Sequence, residues 1–80
     1  MTEATEATEV ARSALVTTRD PATRNMLSRL LVHTAISTGR TDAALQLIAH
    51  YLPESHTDPD YEHALIHLRR WISVLSGREP

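Results

Sequence analysis

The chain contains no cysteine and no phenylalanine, and only two of its 80 residues are glycine. Without cysteine, neither a disulfide nor a thiolate metal ligand can stabilise the fold. Two glycines cannot build a glycine-rich phosphate loop, and the sequence has neither a cysteine nucleophile nor a Gly-x-Ser-x-Gly elbow. We therefore predict a protein that is not an enzyme and that uses no cofactor.

Lysine is absent too, and all eight basic residues are arginine, a bias typical of a GC-rich bacterial or phage genome. The net charge is −2, although residues 12–40 carry five arginines against one aspartate. Nucleic-acid-binding proteins usually have a stronger basic excess, because neutralising phosphates supplies much of their affinity. We interpret these arginines as part of a solvated helical surface.

Long hydrophobic runs are missing as well. No apolar stretch reaches the roughly 20 residues that cross a bilayer, and the acidic segment 1–6 lacks the apolar core of a secretory signal. We therefore expect no membrane association and a cytoplasmic location. A chain of this size buries only about 60% of its unfolded surface, so we expect it to gain stability from a partner or from a second copy.

Proline and glycine divide the chain into four helical segments within a single domain, residues 1–80. We place the helices at about 3–18, 21–38, 42–52 and 59–76. Asp20-Pro21 and Asp58-Pro59 are typical helix starts, and Thr41 is a typical N-cap. Gly39 and Gly77 are expected to end helices, and residues 53–57 to form a loop. No segment alternates with a period of two, so the fold class is all-α, a small four-helix bundle or orthogonal helical domain with short loops.

The second helix is apolar on nearly every side, which predicts that it lies at the centre of the fold. Its main apolar stripe, which we assign to the core, is Met26, Leu27, Leu30, Leu31, Thr34 and Ala35. The third helix has one apolar face, formed by Ala44, Leu45, Ile48, Tyr51 and Leu52. The clearest inner face belongs to the last helix and comprises Tyr61, Ala64, Leu65, Leu68, Trp71, Ile72 and Leu75.

Several apolar residues lie off these stripes and predict a partner-binding surface, because a chain this small cannot cover all of them. They are Val32, Ile36, Leu47, Ile66 and Val74, with Arg29 at the rim. The function we predict is a non-catalytic protein–protein interaction module, either an adaptor or a self-associating regulatory protein. A homodimer is the expected form, with an arginine-bearing rim that gives orientation.

The segment "ISTGRTDAALQLIAHYL" raises an alternative function, a small DNA-binding regulator or antitoxin that uses residues 36–50. The spacing of Ala35, Gly39, Leu45 and Ile48 resembles a helix-turn-helix, although Arg40 stands where that family has an apolar residue. "VTTRDPATRNMLSRL" and "TGRTDAALQLIAHYL" resemble the strand-to-helix junction and second helix of ribbon-helix-helix repressors. The residues that would contact DNA are Arg40, Thr41, Gln46 and His50. Gly39 and Ala44 also resemble the small residues of a tetratricopeptide hairpin, whose later positions Tyr51 and His56 do not match.

Two further patterns carry potential chemistry. His63 and His67 are four residues apart, a spacing that can hold zinc if Asp60 or His56 approaches, but the neighbouring Arg70 opposes a cation. We therefore predict no metal site and two solvent-facing imidazoles. Five histidines also suggest stability or assembly that changes with pH.

A second pattern is Arg69-Arg70-Trp71, which would suit a nucleic-acid stacking platform. Trp71 is in phase with Leu68 and Leu75. This phase predicts a tryptophan in the core or in an interface.

Overall fold

The computed structural model describes residues 3–75 and 77, with side chains from residue 6 onward. It contains four helices, α1 (Glu3–Thr17), α2 (Pro21–Ser37), α3 (Thr41–Ser55) and α4 (Pro59–Leu75). The described part of the chain has no strand, so the all-α four-helix prediction is confirmed. Residue 76, where we expected the last helix to end, lies outside the described residues.

The predicted helix boundaries follow the chemistry of the capping residues. The Asp20 carboxylate accepts hydrogen bonds from the Thr23 backbone N–H at 3.0 Å and from the Thr23 hydroxyl at 2.6 Å. Asp58 repeats the arrangement at the start of α4, accepting from the backbone N–H of Asp60 at 3.1 Å. Gly39 ends α2 with a φ of +77°, a left-handed conformation that favours glycine.

The boundaries of α3 differ from the prediction. The helix continues through Pro53 to Ser55, where we had placed a loop, because a proline near the end of a helix removes only one backbone bond. The Ser55 hydroxyl is buried and donates to the Leu52 carbonyl at 2.6 Å, which holds the last turn together. At the other end Thr41 is the first residue of the helix instead of its cap, and the flanking Arg40 makes no side-chain capping bond.

Helix α2 lies at the centre of the fold, as its apolar character predicts. It packs against α1, α3 and α4, and α3 also packs against α4, whereas the described residues of α1 contact α2 alone. The molecule is flat, with principal extents of 36, 35 and 15 Å. Within the described part, no helix combines the length and the hydropathy needed to cross a bilayer.

The orientation of α2 about its own axis is where the prediction was wrong. Val32, which we had placed on the surface, is fully buried, and Ile36 is half-buried against the core. Met26 and Leu30, which we had assigned to the core, are 62% and 41% exposed. Both stripes of α2 are apolar, and the positions of its three neighbouring helices decide which stripe is covered.

The inner face of α4 is largely as expected. Tyr61, Leu65, Leu68 and Ile72 are all buried. Trp71 and Leu75, which complete the apolar stripe in the sequence, are 42% and 55% exposed. Trp71 therefore does not lie in the core, one of the two positions that its phase predicts, because successive helical residues point about 100° apart and the burial of Ile72 turns Trp71 toward the edge.

Candidate functional site

Exposed apolar side chains gather where α2 lies beside α4. Met26 and Leu30 are four residues apart on α2 and therefore project from the same side of the helix. One turn further along α2, the His33 ring lies 6.1 Å from the Trp71 ring of α4, measured between centroids. Val74, one turn beyond Trp71, is 71% exposed. These residues form one surface across the two helices.

A groove runs between the two helices at this surface. Its volume is about 700 Å³, and its lining residues are Arg29, His33, Asp60, His63, Ala64, His67, Leu68 and Trp71. A shallower hollow of about 450 Å³ adjoins it and is lined by Met26, Leu27, Arg29, Leu30 and His33. Arg29 and His33 line both hollows, so the two lie side by side on this surface. We call this surface the α2–α4 face and define it by the lining residues of both hollows together with Val74.

The groove has an apolar floor and polar walls. Leu68 is buried and Ala64 is half-buried, and both belong to α4. The walls carry Arg29 and three histidines, which can all be cationic, and a single carboxylate, that of Asp60. All five of these wall side chains are exposed to solvent. The arrangement therefore offers apolar contact at the base and, at the rim, one arginine, one carboxylate and three histidines that add positive charge when they are protonated.

A hydrogen-bond network holds the helices on either side of this groove. Arg24 of α2 donates from Nε to Glu54 Oε2 at 2.7 Å and from Nη2 to Glu54 Oε1 at 2.9 Å. Its Nη1 also donates to the backbone carbonyls of Leu15 at 2.8 Å and Thr18 at 2.9 Å. One guanidinium thus connects the end of α1, the first turns of α2 and the end of α3.

Tyr61 extends the same network into α4. Its hydroxyl donates to Glu54 Oε2 at 3.4 Å and is also hydrogen-bonded to Ser28 of α2. Burial raises the pKa of Tyr61 to about 12, whereas the hydrogen bond from Arg24 lowers the pKa of Glu54. Because Tyr61 meets Ser28 and Trp71 meets His33, α2 and α4 run in the same general direction along the groove.

The six residues that we predicted to bind a partner do not all lie on one exposed surface. Arg29 lines the groove, and Val74 is exposed one turn beyond Trp71 on α4. Ile36 and Leu47 are partly buried against the core, and Ile66 is half-buried. Val32 has no exposed surface and cannot contact a partner. Sequence reasoning assigned Met26 and Leu30 to the core, since both are in phase with a stripe that looks like core, and it left Trp71 to either the core or an interface.

The residues proposed for DNA contact lie at and beyond the turn between α2 and α3. Arg40, Gln46 and His50 are exposed, and Thr41 is half-buried. Helix α3 itself contains no arginine or lysine. Residues 13–18, which a ribbon-helix-helix protein would use as a strand, form the end of α1 and the residue that follows it.

The two histidines of α4 lie at the surface, where the sequence analysis placed them. His63 and His67 are both exposed, and both line the groove. Among the described residues, no three histidine, aspartate or glutamate side chains approach one another closely enough to share a metal ion. His56, one of the two further ligands considered, instead pairs through Nδ1 with the Glu62 carboxylate.

No protein-family model, curated protein or solved structure matches this chain. Indications of its function therefore come from the exposed surface of the chain. The α2–α4 face is the candidate functional site, because the exposed Met26, Leu30 and Trp71 side chains line the groove or the hollow next to it.

Proposed function

We propose that the protein is a non-catalytic protein–protein interaction module that binds its partner through the α2–α4 face. The observation that carries this proposal is the exposure of Met26, Leu30 and Trp71 at 62%, 41% and 42% around the groove and the hollow next to it. Contiguous apolar surface of this kind mostly marks an interaction site in a small protein. A role as an adaptor or regulatory protein in the bacterial cytoplasm, encoded by a bacterial or phage genome, forms part of the same proposal.

The dimensions of the face suit a helical partner. A groove between two helices that run in the same general direction accepts a third helix along its length. A standard interface covers about 800 Å² on each partner, which is a modest fraction of the 5506 Å² surface of this chain. Trp71 and Arg29 are the residue types that most often dominate binding energy, and they line the same groove.

Partner binding also fits the size of the chain. An 80-residue domain without disulfides has a small core, so covering the α2–α4 face adds burial that the fold lacks on its own. A second copy of the chain could supply this cover and form the homodimer expected from the sequence. The other source is a helix from a different protein.

DNA binding through residues 36–50 has less support. The exposed side of α3 presents Asp42, Gln46 and His50 and lacks the arginine or lysine that reads guanine. Arg40 alone supplies positive charge there. Steeply salt-dependent binding to duplex DNA, lost on Arg40→Ala, would favour this function over the proposed one.

The proposal can be tested by site-specific photo-crosslinking in the cells that produce the protein. A photoreactive phenylalanine analogue replaces Leu30 on the α2–α4 face or, as a matched control, Gln46 on the exposed side of α3. We expect a discrete adduct from position 30 that is lost when Trp71→Ala is added, and no such adduct from position 46. Equal crosslinking at both positions, or none at position 30, would contradict the proposal.

A further inference from the structure

We propose that the α2–α4 face binds an acidic amphipathic helix and binds it more tightly as the pH falls from about 7.5 to 5.5. This inference rests on the proposed function and names the chemistry of the partner at the same site. It also assigns a role to His33, His63 and His67, which are exposed and line the groove.

The length of the groove sets the length of the partner. Its lining runs along α4 from Asp60 to Trp71, and at 1.5 Å per residue this span is about 16 Å, or three helical turns. Leu68 and Ala64 form the floor, and Met26 and Leu30 extend the apolar area on the α2 side. A helix with one apolar stripe of about three turns would cover this surface.

The charge around the groove determines which amphipathic helix fits best. Arg29 and His33 face the groove from α2, and Asp60, His63 and His67 face it from α4. Four of these five groups can be positive and one is negative. Arg70 is exposed one turn from His67 and adds positive charge beside the groove. Carboxylates flanking the apolar stripe of the partner would therefore meet complementary charge.

The same charges argue against a second copy as the occupant. A two-fold symmetric dimer places the same patch on both sides of the interface, so each cationic rim would oppose the rim of the other copy. Protonating the histidines would then weaken a self-association through this face. An acidic helix predicts the opposite pH dependence, which allows the two occupants to be distinguished.

Histidine supplies the pH dependence because imidazole side chains exchange a proton within the range of about pH 5 to 8. The other charged residues at the rim, Arg29 and Asp60, have opposite signs. Each exposed ion pair changes affinity by about 1.5- to 5-fold. Three histidines acting together give an expected gain of about tenfold between pH 7.5 and 5.5.

The experiment uses the full chain and its single tryptophan, which lines the groove and reports binding without a label. The probe is a tryptophan-free helical peptide of about 16 residues with leucine along one stripe and glutamate on both flanks. Its matched control has the same leucines and lysine in place of every glutamate. Trp71 fluorescence is titrated with each peptide at pH 7.5 and 5.5, and sedimentation of the chain alone is recorded at both values.

Four variants identify the responsible groups. His33→Gln, His63→Gln and His67→Gln combined should abolish the tenfold gain and leave the affinity at pH 7.5 within about twofold. His50→Gln, on the exposed side of α3, should leave the gain intact. Arg29→Glu should weaken binding at both pH values, and Asp60→Asn should strengthen it by about twofold at both.

Tighter binding of the glutamate peptide at pH 5.5, removed by the triple variant, supports the inference. The inference is overturned by equal binding of the lysine peptide, by a pH response that survives the triple variant, or by self-association that removes the Trp71 response. If neither peptide binds while crosslinking at position 30 persists, the acidic-helix inference fails and the interaction module stands. If crosslinking fails as well, both proposals fall.

Discussion

Arg24 and Glu54 form a two-pronged ion pair across 30 residues of sequence, with N–O distances of 2.7 and 2.9 Å. The side chains are 24% and 34% exposed, so the pair lies at the edge of the core and is partly shielded from water. The third nitrogen of the same guanidinium holds the carbonyls of Leu15 and Thr18. This connection matters for α1, which within the described residues packs against α2 alone.

The first prediction is that Arg24→Ala lowers the free energy of unfolding by about 1–2 kcal/mol, because it removes charge-assisted bonds at a partly exposed site. Arg24→Lys should recover less than half of that loss, since an ammonium cannot reproduce the planar arrangement of donors. Urea denaturation followed by circular dichroism measures both. Arg19→Ala, which removes a nearby exposed arginine, is the control and should cost much less. Similar losses for the two alanine variants would show that the network contributes nothing specific.

The second prediction concerns acid. The hydrogen bond from Arg24 lowers the pKa of Glu54 from its ordinary value of 4.5. Since the native state binds fewer protons at this group, its stabilising contribution is present above pH 4.5 and is lost as the pH falls through the lower native pKa. Unfolding free energies measured between pH 6 and 3 should therefore decline less steeply in Glu54→Gln than in the wild type. Glu9→Gln, on the exposed side of α1, should keep the wild-type slope. Parallel declines in all three proteins would contradict the assigned role.

The third prediction concerns alkali. Burial raises the pKa of Tyr61 from 10.0 to about 12. Between these values the unfolded chain loses the phenolic proton more readily than the native chain, so stability should fall as the pH rises from 10 to 12. Tyr61→Phe should remove this part of the decline and cost about 1 kcal/mol at pH 7 through its lost hydrogen bonds. Absorbance at the tyrosinate band follows the ionisation directly. An ordinary titration near pH 10 in the native protein would show that the hydroxyl is accessible to water.

The fourth prediction tests which side of α2 is buried. Val32→Asp places a charge in a site with no exposed surface and should cost more than about 3 kcal/mol, which would unfold a small domain. Leu30→Asp changes a side chain that is 41% exposed and should cost about 1 kcal/mol or less. Far-ultraviolet circular dichroism and thermal melting separate the two outcomes. A folded Val32→Asp together with an unfolded Leu30→Asp would restore the orientation inferred from the sequence.

Local chemistry was sufficient to predict the number and type of the helices. Asp20 followed by Pro21 can begin a helix without help from the rest of the fold, and Gly39 can end one because it adopts a positive φ at little cost. The end of α3 could not be placed in this way. Pro53 normally signals a boundary, but the burial of Ser55 and its bond to Leu52 keep the helix intact for two more residues.

The candidate site was only partly accessible to sequence reasoning. Arg29 lines the groove and Val74 is exposed, but Val32, which we had placed on the surface, is buried, and Met26 and Leu30, which we had assigned to the core, are exposed. A helix that is apolar on most sides has no pattern that identifies its buried stripe, because several orientations bury similar areas. The His33–Trp71 contact joins residues 38 positions apart and depends on how α2 and α4 lie together.

The sequence by itself determined an all-α chain, the four helical segments, the central position of α2 and most of the inner face of α4. These properties follow from capping, backbone conformation and hydrophobic periodicity, which act within a few residues along the chain. Only the tertiary structure decided the buried side of α2, the exposure of Trp71 and the existence of the groove. Those properties depend on how the four helices pack against one another. This packing leaves the Met26, Leu30 and Trp71 side chains exposed at the surface.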